Sequence, residues 1–420
     1  MSSVRCSQTA PSVLFVLPDL GKNGAVQQTI AIAEGVALWG PIASTVYCLE
    51  RPPNCTTKLS VPLKGPFRTH IAPIFQRIKG MSRVRAKFHS LCAIPRLLVE
   101  ARKHDVLFAS FEAGPALTNP AYVARILRKP FCVIIHSNIP KSLGVHFALW
   151  PVARTQAIMQ RADHIICVAN GLEPVMQYFL ENHMPPHSTI RNGIDTASLT
   201  ARLTMVPDCQ VAFTVQPNGR YFLAIGRISH EKGLDLLIAA HAKACKSGED
   251  HCLVLAGDGP VALKLQLQQQ ACDLGVAQSV VFLGHCKNPI GLLGQAYGFC
   301  LTSRYEGFSL ALAEAAAVGT PCIAMDCTAG PNEILEGGKY GILVPNGDID
   351  AMAAAMIAHL RDPDPLRQKA AASRLDAARL DTRPLIEKYA ALIMDITQHQ
   401  ETDMPVVLQS DRTVHGVDGL

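Results

Sequence analysis

The residues best suited to chemistry are Glu306 and Glu314, separated by seven residues in the stretch Thr302–Met325, TSRYEGFSLALAEAAAVGTPCIAM. Glu306 lies in a polar turn with Gly307, after a short apolar run, Gly298–Thr302, that reads as a buried strand. An Ala/Leu-rich helix opens near Ser309. At such a junction the backbone N–H groups of Gly307, Phe308, Ser309 and Leu310 have no partner inside the helix and face the space above the strand, with the positive helix end behind them. That suits an anion, above all a phosphate. Two carboxylates beside a phosphate make sense as acceptors for hydroxyl groups, so a ligand carrying both phosphate and hydroxyls, such as a sugar nucleotide, fits both features. The plainer alternative is a capped helix with a solvated glutamate.

A second cluster supplies the opposite charge. Arg227 and Lys232 flank a glycine-bounded turn, Gly226 to Gly233, at the carboxyl end of the apolar run Tyr221–Ile225. Two fixed cations there can neutralise a diphosphate, in the bound state and as negative charge builds on a leaving group. Gly257, in the turn Gly257-Asp258-Gly259-Pro260 after the run Cys252–Ala256, and Gly24, in the turn after Val13–Leu17, let backbone approach a ligand closely. His136 directly follows the run Phe131–Ile135, which places it at the carboxyl edge of a sheet, where open α/β sheets hold their ligands. It is a candidate to hydrogen-bond a sugar hydroxyl or a backbone carbonyl.

Positioning these side chains requires doubly wound units. Val13–Leu17, Ala43–Cys48, Val106–Ala109, Phe131–Ile135 and His164–Val168 are short apolar runs separated by helical patterns, and Tyr221–Ile225, Cys252–Ala256, Val280–Leu283, Gly298–Thr302 and Tyr340–Pro345 repeat the theme. Mostly parallel sheets follow. The reading divides the chain into residues 1–195, a polar linker 196–220, a second unit 221–380, an amphipathic terminal helix within 381–400 and a patternless tail 401–420 expected to be disordered.

Length and composition agree. The 420 residues allow two cores, with 49% hydrophobic and 17% charged residues, and the net charge of +5 is mild. Sparse aromatics and the lack of a basic motif interleaved with them argue against nucleic acid. Fourteen cysteines lie scattered in apolar runs without a C-x-x-C pair, so buried free thiols in a reducing compartment are expected, not disulfides or a zinc site. No apolar stretch reaches the roughly 20 residues needed to span a bilayer, and no signal-peptide layout opens the chain. The expected location is cytoplasmic. One segment stands out: residues 64–103 carry ten Lys and Arg against the single acid Glu100, interleaved with apolar residues at helical spacing. A basic amphipathic helix there is a candidate for an anionic membrane surface, which would make the protein peripheral on the inner face of the cytoplasmic membrane.

Taken together, the motifs resemble family-4 retaining glycosyltransferases of the GT-B architecture. The most specific part is Glu306-Gly307-Phe308-Ser309-Leu310 with Glu314, and Arg227 with Lys232, Gly257 to Pro260, Asn192-Gly193-Ile194-Asp195 and Asp326 to Ile334 match in order and spacing. The resemblance implies an α/β fold of two Rossmann-like doubly wound domains facing across a cleft, the N-terminal one on the acceptor side and the C-terminal one holding the nucleotide sugar. It implies that Glu306 contacts donor-sugar hydroxyls, Glu314 the ribose and His136 the transferring sugar. Arg227 and Lys232 would replace a divalent ion, so no metal or other cofactor is expected. The donor would be a nucleoside-diphosphate sugar, UDP-linked, and the acceptor a glycan or its lipid-linked precursor in cell-surface polysaccharide synthesis. Two departures stand out: Asn23-Gly24-Ala25-Val26 replaces the usual double glycine and acid, and the basic segment exceeds what the core fold needs. A sugar-nucleotide epimerase on the same fold, or a non-catalytic partner subunit, are the competing readings.

Overall fold

The computed structural model describes residues 10–18, 23–49, 68–71, 83–146, 151–205 and 219–402. The expected disordered tail, most of the turn between β1 and the first helix, and the parts 64–67 and 72–82 of the basic segment lie outside them.

Two parallel sheets organise the chain. The first contains β1 Ser12–Leu17, β2 Ala43–Cys48, β3 Arg68–Ile71, β4 Val106–Ala109, β5 Phe131–Ile135, β6 His164–Cys167 and β7 His187–Thr189, in the order β3-β2-β1-β4-β5-β6-β7. The second contains β8 Tyr221–Ile225, β9 Cys252–Ala256, β10 Val280–Gly284, β11 Gly298–Leu301, β12 Cys322–Asp326 and β13 Ile342–Pro345, in the order β10-β9-β8-β11-β12-β13. Central strands such as β1, β4, β5, β9 and β11 are apolar throughout because helices cover both faces, which is the burial that their VLFV, VLFA and FCVII runs require. In each sheet the strand order reverses beside its first strand, between β1 and β4 and between β8 and β11. Those switch points open crevices at the carboxyl ends. This is the GT-B architecture.

The domains touch at several backbone positions. The helix Thr382–Thr402 buries Leu385, Ile386, Tyr389 and Ile393 in the core of the first sheet. Ile194 bridges to Asp381 where the chain returns, and Gly171 N donates to Glu333 Oε1 at 3.1 Å. Phe308 packs against the cores of both domains.

At four places the structure corrects or adds to the sequence expectations. Thr196–Leu203, read as linker, is a helix capped by Asp195, whose side chain accepts from Ser198 N; its polar sequence buries only Leu199, which is why no apolar stripe announced it. Within the basic segment Arg68–Ile71 forms strand β3 on the sheet edge, and the helix spans Arg83–Ala101. The short edge strand β7 was not anticipated. Buried cysteines such as Cys132, Cys167 and Cys300 are free thiols, as expected, but Cys286 is disulfide-bonded. A pairing depends on Cα atoms meeting within about 7 Å in the fold, which spacing alone does not reveal. Among the described residues no helix is long and apolar enough to cross a membrane.

Candidate active site

At the β8/β11 switch point the chain builds a small pocket whose lining is largely apolar, with Ile228, Leu234 and Leu255, and includes Gly226, Lys232, Gly257, Thr302 and Ser303. The turn after β8 and the turn after β9 are pressed together: a Cβ on Gly257 would lie 1.8 Å from Gly226 O, so only glycine fits. Lys232 reaches across to the turn after β11, its Nζ 2.6 Å from Glu306 Oε1, and Ser303 Oγ donates to the same oxygen at 2.7 Å. Arg227 donates to Glu231 Oε1 at 2.5 Å. Burial alone would raise the Glu231 carboxyl, but hydrogen bonds from Ser229, its own backbone and Arg227, with the Arg227 charge, outweigh it and hold it down at about 2. Both cations singled out in the sequence are therefore paired with a carboxylate, a detail spacing did not show. The two pairs differ in the exposure of their cations. Arg227 is 60% exposed, so its guanidinium can meet a ligand, but Glu231 is 10% exposed and leaving it unpaired carries a desolvation cost. Lys232 is more enclosed. Behind them Arg304 grips Asp235 with two bonds of 2.8 and 2.6 Å and fixes the turn.

The helix Leu310–Val318 starts directly beyond this pair. Ser309 is buried but makes no side-chain cap, so the first N–H groups are not occupied by their own N-cap side chain. Glu314, half a helix further on, lies 3.8 Å from Arg202 of the helix Thr196–Leu203, and burial, partly offset by Arg202, pushes its carboxyl up to about 7.

The opposite wall comes from the first domain. Gly307 packs so tightly that a Cβ there would lie 1.9 Å from His136 O, and a Cβ on Gly24 would lie 3.2 Å from Leu310 Cδ1. Four sequence candidates, Gly24, His136, Gly307 and Leu310, are thus brought together from two domains. Asn23 Oδ1 accepts from Val26 N at 2.9 Å and caps the helix behind Gly24. Both ring nitrogens of His136 are buried without a hydrogen-bond partner, and burial lowers the imidazole to about 4, so it is neutral at pH 7.

Sequence reasoning missed Glu112. It follows β4, on the far side of the first switch point, is nearly fully buried, and accepts a hydrogen bond from His136 N. Burial raises its carboxyl to about 7 against the lowering effect of hydrogen bonds from its own backbone, His136 and Ser137. The available signal was its place at the carboxyl end of a strand beside the order reversal. Because the folded value lies above the ordinary 4.5, the stability Glu112 allows is full below about pH 4.5 and is lost as pH rises through about 7. Glu112→Gln keeps the acceptor for His136 N and removes this loss. Its unfolding midpoint relative to the parent protein should therefore improve between pH 5 and pH 8, by up to about 3 kcal/mol in stability; a difference independent of pH would contradict the assignment.

Residues 211–374, less than half of the chain, match the family described as "Glycosyl transferases group 1". The lipopolysaccharide core biosynthesis mannosyltransferase LpsB of Rhizobium meliloti is 29% identical over 213 residues, covering 50% of this chain and 59% of that protein. The chain spans less than two thirds of the length of the curated relatives it matches, 21% of one from Streptomyces coelicolor. Among solved structures, Anabaena Alr3699/HepE in complex with UDP-glucose superimposes with a TM-score of 0.71 at 19% identity, covering 91% of this chain and 99% of that one. Sucrose-phosphate synthase from Thermosynechococcus elongatus gives 0.73 at 18% identity, covering 93% and 100%. The fold is shared across both domains, and the resemblance to group 1 glycosyltransferases is concentrated in the second.

Proposed function

We propose that the protein is a retaining glycosyltransferase, independent of metal at the donor site, that moves a hexose or N-acetylhexosamine from a UDP-linked sugar to a glycan or lipid-linked acceptor in cell-surface polysaccharide synthesis. The observation that carries this reading is the contact of Gly307 with the His136 backbone, which brings the turn holding the Lys232–Glu306 pair against the residue that follows β5. The UDP-glucose complex of HepE and the mannosyltransferase LpsB support a sugar-nucleotide donor.

In this account the donor diphosphate takes Arg227 and Lys232 from their carboxylates, and the two cations stabilise the charge that develops as UDP leaves. Glu306, released from Lys232, accepts from sugar hydroxyls. Glu314 accepts from the ribose, and neutral His136 offers one donor and one acceptor to the transferring sugar. Attack comes from the face that UDP leaves, assisted by the departing phosphate, so the anomeric configuration is kept.

Incubation with UDP-sugars, with and without lipid-linked glycan acceptors and without added divalent ion, tests the proposal by NMR of the products. An α-linked product that requires acceptor is expected. An isomerised sugar nucleotide formed from donor alone would favour the epimerase, and transfer only after adding a partner chain would favour the non-catalytic subunit.

Two further results are expected. His136→Phe substitutes a somewhat larger apolar ring and removes two buried, unpartnered polar atoms, each worth about 1–3 kcal/mol when unsatisfied. The variant should melt no lower than the parent, yet transfer roughly 100-fold more slowly; unchanged turnover would remove His136 from the site. For the acceptor side, the helix Arg83–Ala101 exposes Arg96 and Val99, and the helix Pro115–Leu127 exposes Tyr122 and Ile126. Sedimentation with anionic vesicles should show binding at low ionic strength that is lost at high salt, and none at low salt would exclude membrane attachment through this face.

A further inference from the structure

At the edge of the second sheet opposite the crevice, the helix Leu234–Cys245 places His241 and Cys245 one turn apart on the same face. His251, which immediately precedes β9, comes up beside them with its ring 4.8 Å from that of His241, edge to face. One ligand atom from each of the three residues lies within 4.8 Å of the others. We infer that His241, Cys245 and His251 form a binding site for a zinc-class divalent ion that ties the end of this helix to the start of β9.

His241 Nε2 lies 2.8 Å from Ser279 Oγ and 3.5 Å from Cys245 Sγ, with Nδ1 4.0 Å from the same sulfur. His251 Nδ1–H donates to Glu249 O at 2.7 Å, which leaves Nε2 buried without a hydrogen-bond partner. His251 thus has one nitrogen anchored on a protein oxygen and the other bare, the arrangement by which proteins orient metal-ligating histidines. With bond lengths of about 2.3 Å to sulfur and 2.05 Å to nitrogen, a tetrahedral zinc spans an S–N edge of about 3.5 Å. Cys245 Sγ and His241 Nε2 are already 3.5 Å apart, so the ion would take the place of the Ser279 hydroxyl on that nitrogen.

Binding at Cys245 exchanges the thiol proton for the ion: Cys–SH and M²⁺ give Cys–S–M⁺ and one H⁺. Cys245 is only partly buried, which gives the ion a way in. The site lies before β9, whereas the crevice lies beyond the carboxyl ends of β8 and β9, so the ion would brace the domain without touching the donor. The sequence reading expected no zinc site because it looked for C-x-x-C pairs; here the ligands follow H-x3-C-x5-H across a helix and the next strand.

The test is cobalt(II) titration of the full chain after chelation and dialysis, followed by competition with zinc. One equivalent should bind with a thiolate-to-cobalt charge-transfer absorption in the near ultraviolet, and zinc should abolish it. Cys245→Ser should lose the absorption, and Cys272→Ser, at an exposed thiol, should keep it. His251→Gln should weaken zinc binding roughly 10-fold or more, with circular dichroism confirming that each variant is folded. No absorption in the parent protein, its persistence in Cys245→Ser, or unchanged zinc affinity in His251→Gln would overturn the inference and leave a hydrogen-bonded cluster.

Discussion

Gly307→Ala is expected to reduce transfer by roughly 100-fold or more while both domains remain folded. The added methyl would lie 1.9 Å from His136 O, 2.6 Å from His136 C and 3.2 Å from Ser137 N, all backbone atoms of the opposite domain that no rotamer change can clear. Relief requires the domains to part by an ångström or more at the Gly307–His136 contact, and under the proposed function misplacement of that size separates reacting groups beyond attack distance. Circular dichroism should show native secondary structure, kcat/KM should fall, and small-angle scattering should report a more open molecule. Full activity in this variant would mean that the closed contact is not the reacting arrangement.

The second large effect divides the two members of the Lys232–Glu306 pair. Lys232→Met should cost about 1–3 kcal/mol in stability, since Glu306 is 9% exposed and would keep only the Ser303 hydroxyl. It should also weaken UDP binding and lower kcat/KM by roughly 100- to 1000-fold, because a fixed cation beside the leaving diphosphate is lost. Glu306→Gln does the opposite to the nucleotide. It frees Lys232, so UDP binds as tightly as before or tighter, while turnover falls because the amide is a poorer acceptor for sugar hydroxyls. Calorimetry with UDP beside steady-state kinetics separates the two. Equal loss of UDP affinity in both variants would contradict the proposed division of roles.

Much of the fold could be read from short apolar runs. VLFVL, FCVII and CLVLA are too short for buried helices and too apolar for half-exposed strands, so parallel sheets with covered faces followed. What escaped were elements with little apolar signal: β3, beginning at Arg68; the three-residue β7; and Thr196–Leu203, which buries only Leu199. The site was legible where it is local. Glu306, Gly307, Gly226, Arg227 and Lys232 occupy turns recognisable from glycine and charge. The missed features are those made by two distant segments meeting. Nothing in SFEAG marks Glu112 as the buried acceptor for His136 N, twenty-four residues away, and no spacing rule pairs Arg227 with Glu231 in preference to leaving it free for a ligand. The contact of Gly307 with His136 depends on how two domains approach, which no local pattern encodes.

Thermal unfolding of the parent protein and of an Arg227→Ala, Lys232→Ala double variant against a panel of nucleotide sugars tests the central claim most directly. A ligand that binds only the folded state at 100 times its Kd adds about 2.7 kcal/mol, which for domains of this size is a rise of roughly 5–10 °C. One UDP-sugar should produce that shift in the parent protein and little or none in the double variant. No shift with any nucleotide sugar, or the same shift in both proteins, would contradict a donor site built on the Arg227 and Lys232 turn.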